Sequence, residues 1–296
     1  MSETTAAHDR TVEVPGATIA YTVIGDPADT TPECPPLMLF GSPMDSTGFA
    51  SLAARLPGRV LVLVDPRNTG RSVRDDRTAA VTVDEHAADL HAVIADLGLA
   101  PVDAFASSGG ALNALALVAA HPTDVRVLVA HEPPLAALLP DAAAIGAACD
   151  AMVAAYDAEG FGPAMARFLG LVMHLGEVTG DEPTVDPTMF GFPTDDDGSR
   201  DDPLMANMRG GGVTQSPDLD ALRAAPTRIV AAVGEESGGA TDGSIAARGT
   251  HALAAALGGE ATVFPGGHDG FLGGEFGQTG KPDEFAVRLV EVLSAG

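Results

Sequence analysis

Ser108 lies in the pentapeptide Ala106-Ser107-Ser108-Gly109-Gly110, between a short apolar run, PVDAFA (101–106), and a longer one (109–120). Glycine weakens a helix and serine competes for its backbone hydrogen bonds, so this cluster is costly where a strand hands over to a helix. A chemical role accounts for the cost. A nucleophile raised on a sharp strand-to-helix turn needs small residues two before and two after it, because the backbones crowd there. Its hydroxyl then projects above the sheet, and the next N–H, at the helix start, faces the same point and can stabilise an oxyanion. Such a serine needs an imidazole that takes its proton and returns it to the leaving group. His268 stands in a glycine-rich loop, Phe264-Pro265-Gly266-Gly267-His268-Asp269-Gly270, after the last strand-like run. His8 falls in the N-terminal tail. His86, His91, His121, His174 and His251 fall on helical patterns or their ends, where a solvated or satisfied ring is the simpler reading. Taken alone, the pentapeptide also fits a plain helix N-cap and turn.

The elements that must hold these residues follow from hydrophobic pattern. Residues 11–25 read as two short strands around Pro15-Gly16. PPLMLF (35–40), RVLVLVD (59–65), PVDAFA (101–106), VRVLVA (125–130), TRIVAAV (227–233) and ATVF (261–264) are short, valine-rich and apolar throughout, as strands buried on both faces of a parallel sheet are. Helical patterns alternate with them: Val83 to Leu97, opened by a Thr82/Glu85 capping box and stopped at Gly98, then 109–120, 244–257 and 282–294. The alternation predicts a doubly wound α/β sheet. It breaks between Glu132 and about residue 226, where 141–158 and 161–175 read as helices and 181–203, rich in proline and aspartate, as a loop. Six of the nine methionines lie in this interval, with Phe161, Phe168, Phe190 and Phe192. They can cover a site as a soft apolar lid and fill a helical core of the interval's own, and the two readings are compatible, because a lid needs a core too.

With these pieces in order, the chain resembles the α/β-hydrolase family. Ala106-x-Ser108-x-Gly110 is similar to the family's Gly-x-Ser-x-Gly turn, with alanine for the first glycine. Phe40-Gly41-Ser42-Pro43 resembles its His-Gly-x-Pro oxyanion turn, with Phe40 for histidine. Asp65-Pro66-Arg67-Asn68-Thr69-Gly70-Arg71-Ser72 resembles its Asp-x-Arg-Gly-x-Gly-x-Ser loop, with Asn68 for a glycine, and reads as structural. Asp45 borders the same approach, where a surface carboxylate is the simpler reading. The resemblance implies a mostly parallel eight-stranded sheet flanked by helices, with a helical cap inserted after the sixth strand. It divides the chain into a flexible tail (1–10), a core (11–132 and 227–296) and the cap (133–226). It also implies Ser108 as nucleophile, His268 as base, and the backbone N–H groups of Ser42 and Gly109 as oxyanion hole. The acid stays open. The common family position, a Gly-x-x-Asp turn, reads here Gly234-Glu235-Glu236-Ser237, with serine in the aspartate's place and Glu236 one residue early. Certain haloalkane dehalogenases and a lactonase of the family carry instead a glutamate 24 residues after the nucleophile, which is the spacing of Glu132 from Ser108. Glu132 is the first choice, Glu236 the second, and Asp269 or another carboxylate remains.

The whole chain narrows the reaction. Its 296 residues, 46% hydrophobic, suffice for one large core. A net charge of -25 and a single lysine, Lys281, argue against nucleic acid and anionic membrane as partners and leave a small-molecule substrate, with oligomeric state open. Cys34 and Cys149 form neither a disulfide framework nor a zinc motif, so no metal and no cofactor are expected. No secretory signal and no run of about 18 apolar residues is visible, which suggests a cytoplasmic protein. The leading expectation is a serine hydrolase acting on an ester, lactone or thioester of a small, fairly apolar substrate. The same residues would serve amide or carbon–carbon bond hydrolysis, cofactor-free perhydrolysis, or lyase and cyclase chemistry. A non-catalytic ligand receptor on the same fold is the alternative of another class.

Overall fold

The computed structural model describes residues 7–295. A hairpin of β1 (Ala7–Val14) and β2 (Ala17–Ile24) opens the chain. β3 (Leu37–Ser42), the single-turn α1 (Ala50–Ala53), β4 (Leu61–Val64) and the two-residue β5 (Val73–Arg74) follow. Then come α2 (Val83–Leu97), β6 (Val102–Ser108), α3 (Gly109–Ala120) and β7 (Val125–His131). A helical segment carries α4 (Ala142–Glu159), α5 (Phe161–Val172), α6 (Pro203–Arg209) and α7 (Leu219–Ala224). The core resumes with β8 (Arg228–Gly234), α8 (Ile245–Ala256), β9 (Thr262–Phe264) and α9 (Pro282–Ser294).

Eight strands form one sheet in the order β1-β2-β4-β3-β6-β7-β8-β9, and β5 pairs with β2 as a ninth. The ladders from β4 through β9 are parallel, while those made by β2 are antiparallel. The inner strands β3, β4, β6 and β7 are buried on both faces, which explains their unbroken apolar runs. On one face the sheet packs against α2, α3 and α8. On the other it packs against α1 and α9, through Phe49, Phe105, Phe264, Phe271 and Phe285. All parallel strands therefore point their carboxyl ends to one edge, where an open α/β sheet binds its ligands.

The signals at helix ends act as their chemistry requires. Thr82 and Glu85 form a reciprocal capping box at α2, and Gly98 closes it at φ 71, a conformation glycine adopts freely. The helical segment has its own core, in which Ile145, Met152, Tyr156, Met165 and Met205 are buried, while Met173, Met189 and Phe190 are exposed. These buried methionines therefore fill the segment itself. α6 and α7 stand where no helix is expected from sequence: each is about two turns long, started by an aspartate side chain, Asp202 accepting from Met205 N–H (3.1 Å) and Asp218 from Ala221 N–H (2.9 Å). The buried pair of Arg248 on α8 with Asp141 (3.0 and 2.8 Å) ties the segment to the core, and Asp141 also accepts the Val178 N–H (2.7 Å).

One boundary needs correction. Residues 7–10, expected in a flexible tail, belong to β1 and pair with 21–24 of β2. They are exposed and, after Ala7, polar, because an edge strand needs no apolar face at its end, so nothing in AHDR marks them as a strand. Residues 1–6 of that tail lie outside the described residues.

Candidate active site

Ser108 ends β6 at φ 58, ψ -129. A non-glycine residue in this region is strained by about 1–3 kcal/mol and persists only where its surroundings enforce it. The small neighbours explain how it fits. A Cβ on Gly109 would come within 2.6 Å of the Ser42 carbonyl oxygen, and one on Gly110 within 2.8 Å of the Phe40 carbonyl oxygen. Helix α3 thus starts directly against β3, and the first N–H groups of a helix have no partner within it. Ser42, in register with Ser108 across the β3/β6 ladder, brings the second expected N–H to the same strand end.

Three further strand ends adjoin. Glu132 directly follows β7, is fully buried and has φ 49, the left-handed region. Its Oε1 accepts the N–H of Gly234, the last residue of β8 (2.8 Å), and its own N–H donates to Ala232 O (2.9 Å). Its Oε2 lies 2.6 Å from Nδ1 of His268, in the loop after β9. A carboxylate only accepts here, so Nδ1 carries the hydrogen, and in the neutral ring Nε2 keeps its lone pair. The ring is half exposed, with 50% of its side chain reaching solvent.

Glu236, the second candidate acid, turns to the surface, where it and Glu235 pair with Lys281 (2.7 and 2.6 Å). Ser237, in the position where the common pattern has aspartate, is buried. Asp269, adjacent to His268, contributes a smaller charge effect on that ring.

The Asp65 loop is built as scaffolding. Buried Asp65 accepts from Ser46 N–H (2.8 Å) and Arg71 Nε (2.8 Å), and Arg67 forks onto Asp89 (2.9 and 2.6 Å). Asn68 stands at φ 61, which asparagine tolerates in place of glycine, and donates to Asp201 O (2.9 Å). Asp45 accepts the Thr47 N–H (2.9 Å) as the cap of a short turn. A cavity of about 480 Å³ between α4 and α6 and one of about 260 Å³ beside α2 and α3 are lined by other residues than Ser108, Glu132 and His268. Chemistry rather than cavity volume marks the site.

The α/β-hydrolase fold family model matches residues 37–190, more than half of the chain. The chain belongs to the α/β-hydrolase family. A curated relative, the uncharacterized hydrolase YraK of Bacillus subtilis (strain 168), is 33% identical over 130 residues, 44% of this chain and 46% of the relative. The chain thus matches less than half the length of that relative. Among solved structures it is similar to a thermophilic esterase from Thermogutta terrifontis, with a TM-score of 0.64, 17% identity and 97% and 98% of the two chains covered. An enol-lactonase from Burkholderia xenovorans LB400 gives 0.66 and 16%, over 96% and 100%. A protein from Pseudomonas aeruginosa described as a candidate epoxide hydrolase gives 0.62 and 18%, over 98% and 96%. At these identities the structural likeness is one of fold. No helix among the described residues of this chain is long and apolar enough to cross a membrane.

In this chain the charges at the His268 end are mutually tuned. Burial works against the Glu132 charge, but the hydrogen bond and positive charge offered by His268 outweigh it and hold the carboxyl at about 2. Crowding likewise opposes charge on His268, and the Glu132 hydrogen bond and charge outweigh it, raising its pKa above the ordinary value.

Two neighbours of the site escape a reading of the sequence. His131 ends β7 inside an apolar run, fully buried, with Nδ1 3.1 Å from Ser107 Oγ. Its ring stacks on His268 (6.1 Å, 27°) and packs among Phe105, Phe264, Phe271 and Phe285, and burial pushes its pKa down to about 4. It is a neutral plate behind the half-exposed ring. Asn207 of α6 donates to Ser42 Oγ (3.0 Å) and accepts from Nε2 of buried His86 (2.9 Å), whose ring meets Phe40 edge-on. No periodicity marks Asn207, and only the fold brings it to β3.

Proposed function

We propose that the chain is a serine hydrolase that cleaves a carboxylic ester, lactone or thioester of a small, fairly apolar substrate through an acyl-enzyme. The observation that carries this reading is the strained backbone of Ser108, held at the junction of β6 and α3 where a nucleophile would face the helix N-terminus. In the proposed mechanism Ser108 Oγ attacks the carbonyl carbon and its proton passes to Nε2 of His268. Glu132 is the acid: it keeps the hydrogen on Nδ1 and stabilises the imidazolium as it forms. The N–H groups of Ser42 and Gly109 receive the developing oxyanion. His268 then protonates the leaving alcohol or thiol, and water, deprotonated by the same ring, releases the acid.

Serine at position 108 speaks against epoxide and haloalkane opening, for which the family resemblance implies aspartate in that place. The helical segment acts as a lid in this reading, and its Asn207 amide donates to the Ser42 hydroxyl beside the proposed oxyanion hole.

Fluorophosphonate labelling followed by intact mass tests the proposal on wild type, Ser107→Ala, Ser108→Ala and His268→Ala. One adduct is expected, mapped to Ser108, kept in Ser107→Ala and lost in the other two. A well-folded wild type that takes no label and turns over no member of an ester and lactone panel would overturn it and favour a ligand receptor.

A further inference from the structure

We propose that His91, His121 and Asp124 form a binding site for a divalent transition-metal ion of the zinc type. His91 lies on α2, His121 caps the end of α3, and Asp124 stands in the turn that enters β7. One ligand atom from each falls within 4.8 Å of the other two. His91 Nδ1 and Asp124 Oδ2 are 2.7 Å apart, and the two imidazoles lie nearly parallel with centroids 3.7 Å apart.

The backbone fixes this grouping. The Asp124 N–H donates to His121 O (3.1 Å), so the two share one tight turn, and the Asp124 carbonyl accepts the Val102 N–H (2.9 Å). His91 is brought across by the packing of α2 on α3. The arrangement has no part in the chemistry at Ser108. Six strand steps from Val102 to Ser108, at about 3.3 Å each, set it about 20 Å away at the opposite end of β6.

Two imidazole nitrogens and one carboxylate oxygen suit zinc, nickel, cobalt or copper; magnesium and calcium prefer oxygen donors alone. Donors about 2.0–2.2 Å from a tetrahedral ion stand roughly 3.4 Å from one another, so closing the present cluster needs side-chain shifts of about an ångström. The ion takes the place of the proton between His91 and Asp124. The rings turn out of their face-to-face stack, because parallel lone pairs cannot meet at one ion, and water takes the fourth position. The ion would clamp α2, α3 and the entry to β7, a structural role independent of the proposed hydrolase chemistry. Sequence spacing hides the set, since thirty residues separate His91 from His121.

The test uses the chelator-stripped full chain, titrated with zinc against a chromophoric competitor and with cobalt followed by visible absorption. The expected result is one equivalent bound, cobalt bands of tetrahedral intensity, and a melting temperature raised by zinc. Affinity should fall at least about tenfold in His121→Ala and in Asp124→Asn, as expected when a site loses one of three ligands, and hold in His251→Ala. Fluorophosphonate labelling should not change in any of them. No stoichiometric binding by wild type, or equal affinity in wild type, His121→Ala and Asp124→Asn, would overturn the proposal. Should His121→Ala fail to fold, Asp124→Asn decides the matter.

Discussion

Replacing Glu132 by glutamine keeps the side chain's shape and its acceptor for the Gly234 N–H, but removes the charge facing His268. On the proposed mechanism Glu132→Gln lowers kcat/KM roughly 10³- to 10⁴-fold. Glu236→Gln, which loosens only an exposed pair with Lys281, changes it by no more than about threefold. Steady-state kinetics on the two variants decides between the carboxylates, and the reverse pattern would return the role to Glu236. The pH profile gives a second reading. His268 must be neutral to accept a proton, so activity falls as pH drops through its pKa. Glu132 raises that pKa, so the acid limb of kcat/KM should lie above the ordinary histidine value of about 6.5. Whatever activity remains in Glu132→Gln should have its acid limb at lower pH. Much of the site is visible in residue types: Ser108 among small neighbours, and His268 among glycines. Glu132 is visible only through a spacing. His131 is hidden, because a histidine inside an apolar run looks like part of the strand.

Helix α3 is the element on which the proposed nucleophile depends, and its start tolerates no side chain. Alanine usually favours a helix over glycine by about 1 kcal/mol. At Gly110 the added Cβ would meet Phe40 O and Gly41 Cα, so Gly110→Ala should instead cost about 1–3 kcal/mol in urea unfolding and lower turnover with it. A stable, fully active Gly110→Ala would mean that β3 and α3 can part at no cost. The Arg248–Asp141 pair tests the join between α8 and the helical segment. Arg248→Met leaves a buried carboxylate alone and should cost about 3–5 kcal/mol. Adding Asp141→Leu should recover part of that, but not all, because the Val178 N–H then loses its acceptor. Strands and long helices are legible because each repeats its period several times. α6 and α7 are too short for any period to show, and only their aspartate caps, with Pro203 behind Asp202, announce them.

At the scale of the whole molecule, a net charge of -25 sets the surface against itself. Salt near 1 M shortens the screening length to about 3 Å, which relieves this repulsion and weakens exposed ion pairs that contribute little. The melting temperature should therefore rise with sodium chloride in a thermal-shift series. A fall would mean that attractive pairs outweigh the excess of like charge. The Asn207 contact has a consequence of another kind. A helical insert is often treated as an exchangeable part, to be swapped between relatives when a new substrate is wanted. Here the helical segment between β7 and β8 also carries the amide that engages Ser42 on the core. A transplanted segment would bring its own surface and leave that hydroxyl free to turn. Recombination of this chain with its relatives should therefore keep the two halves of the contact together, because the line between scaffold and module cuts through hydrogen bonds such as this one.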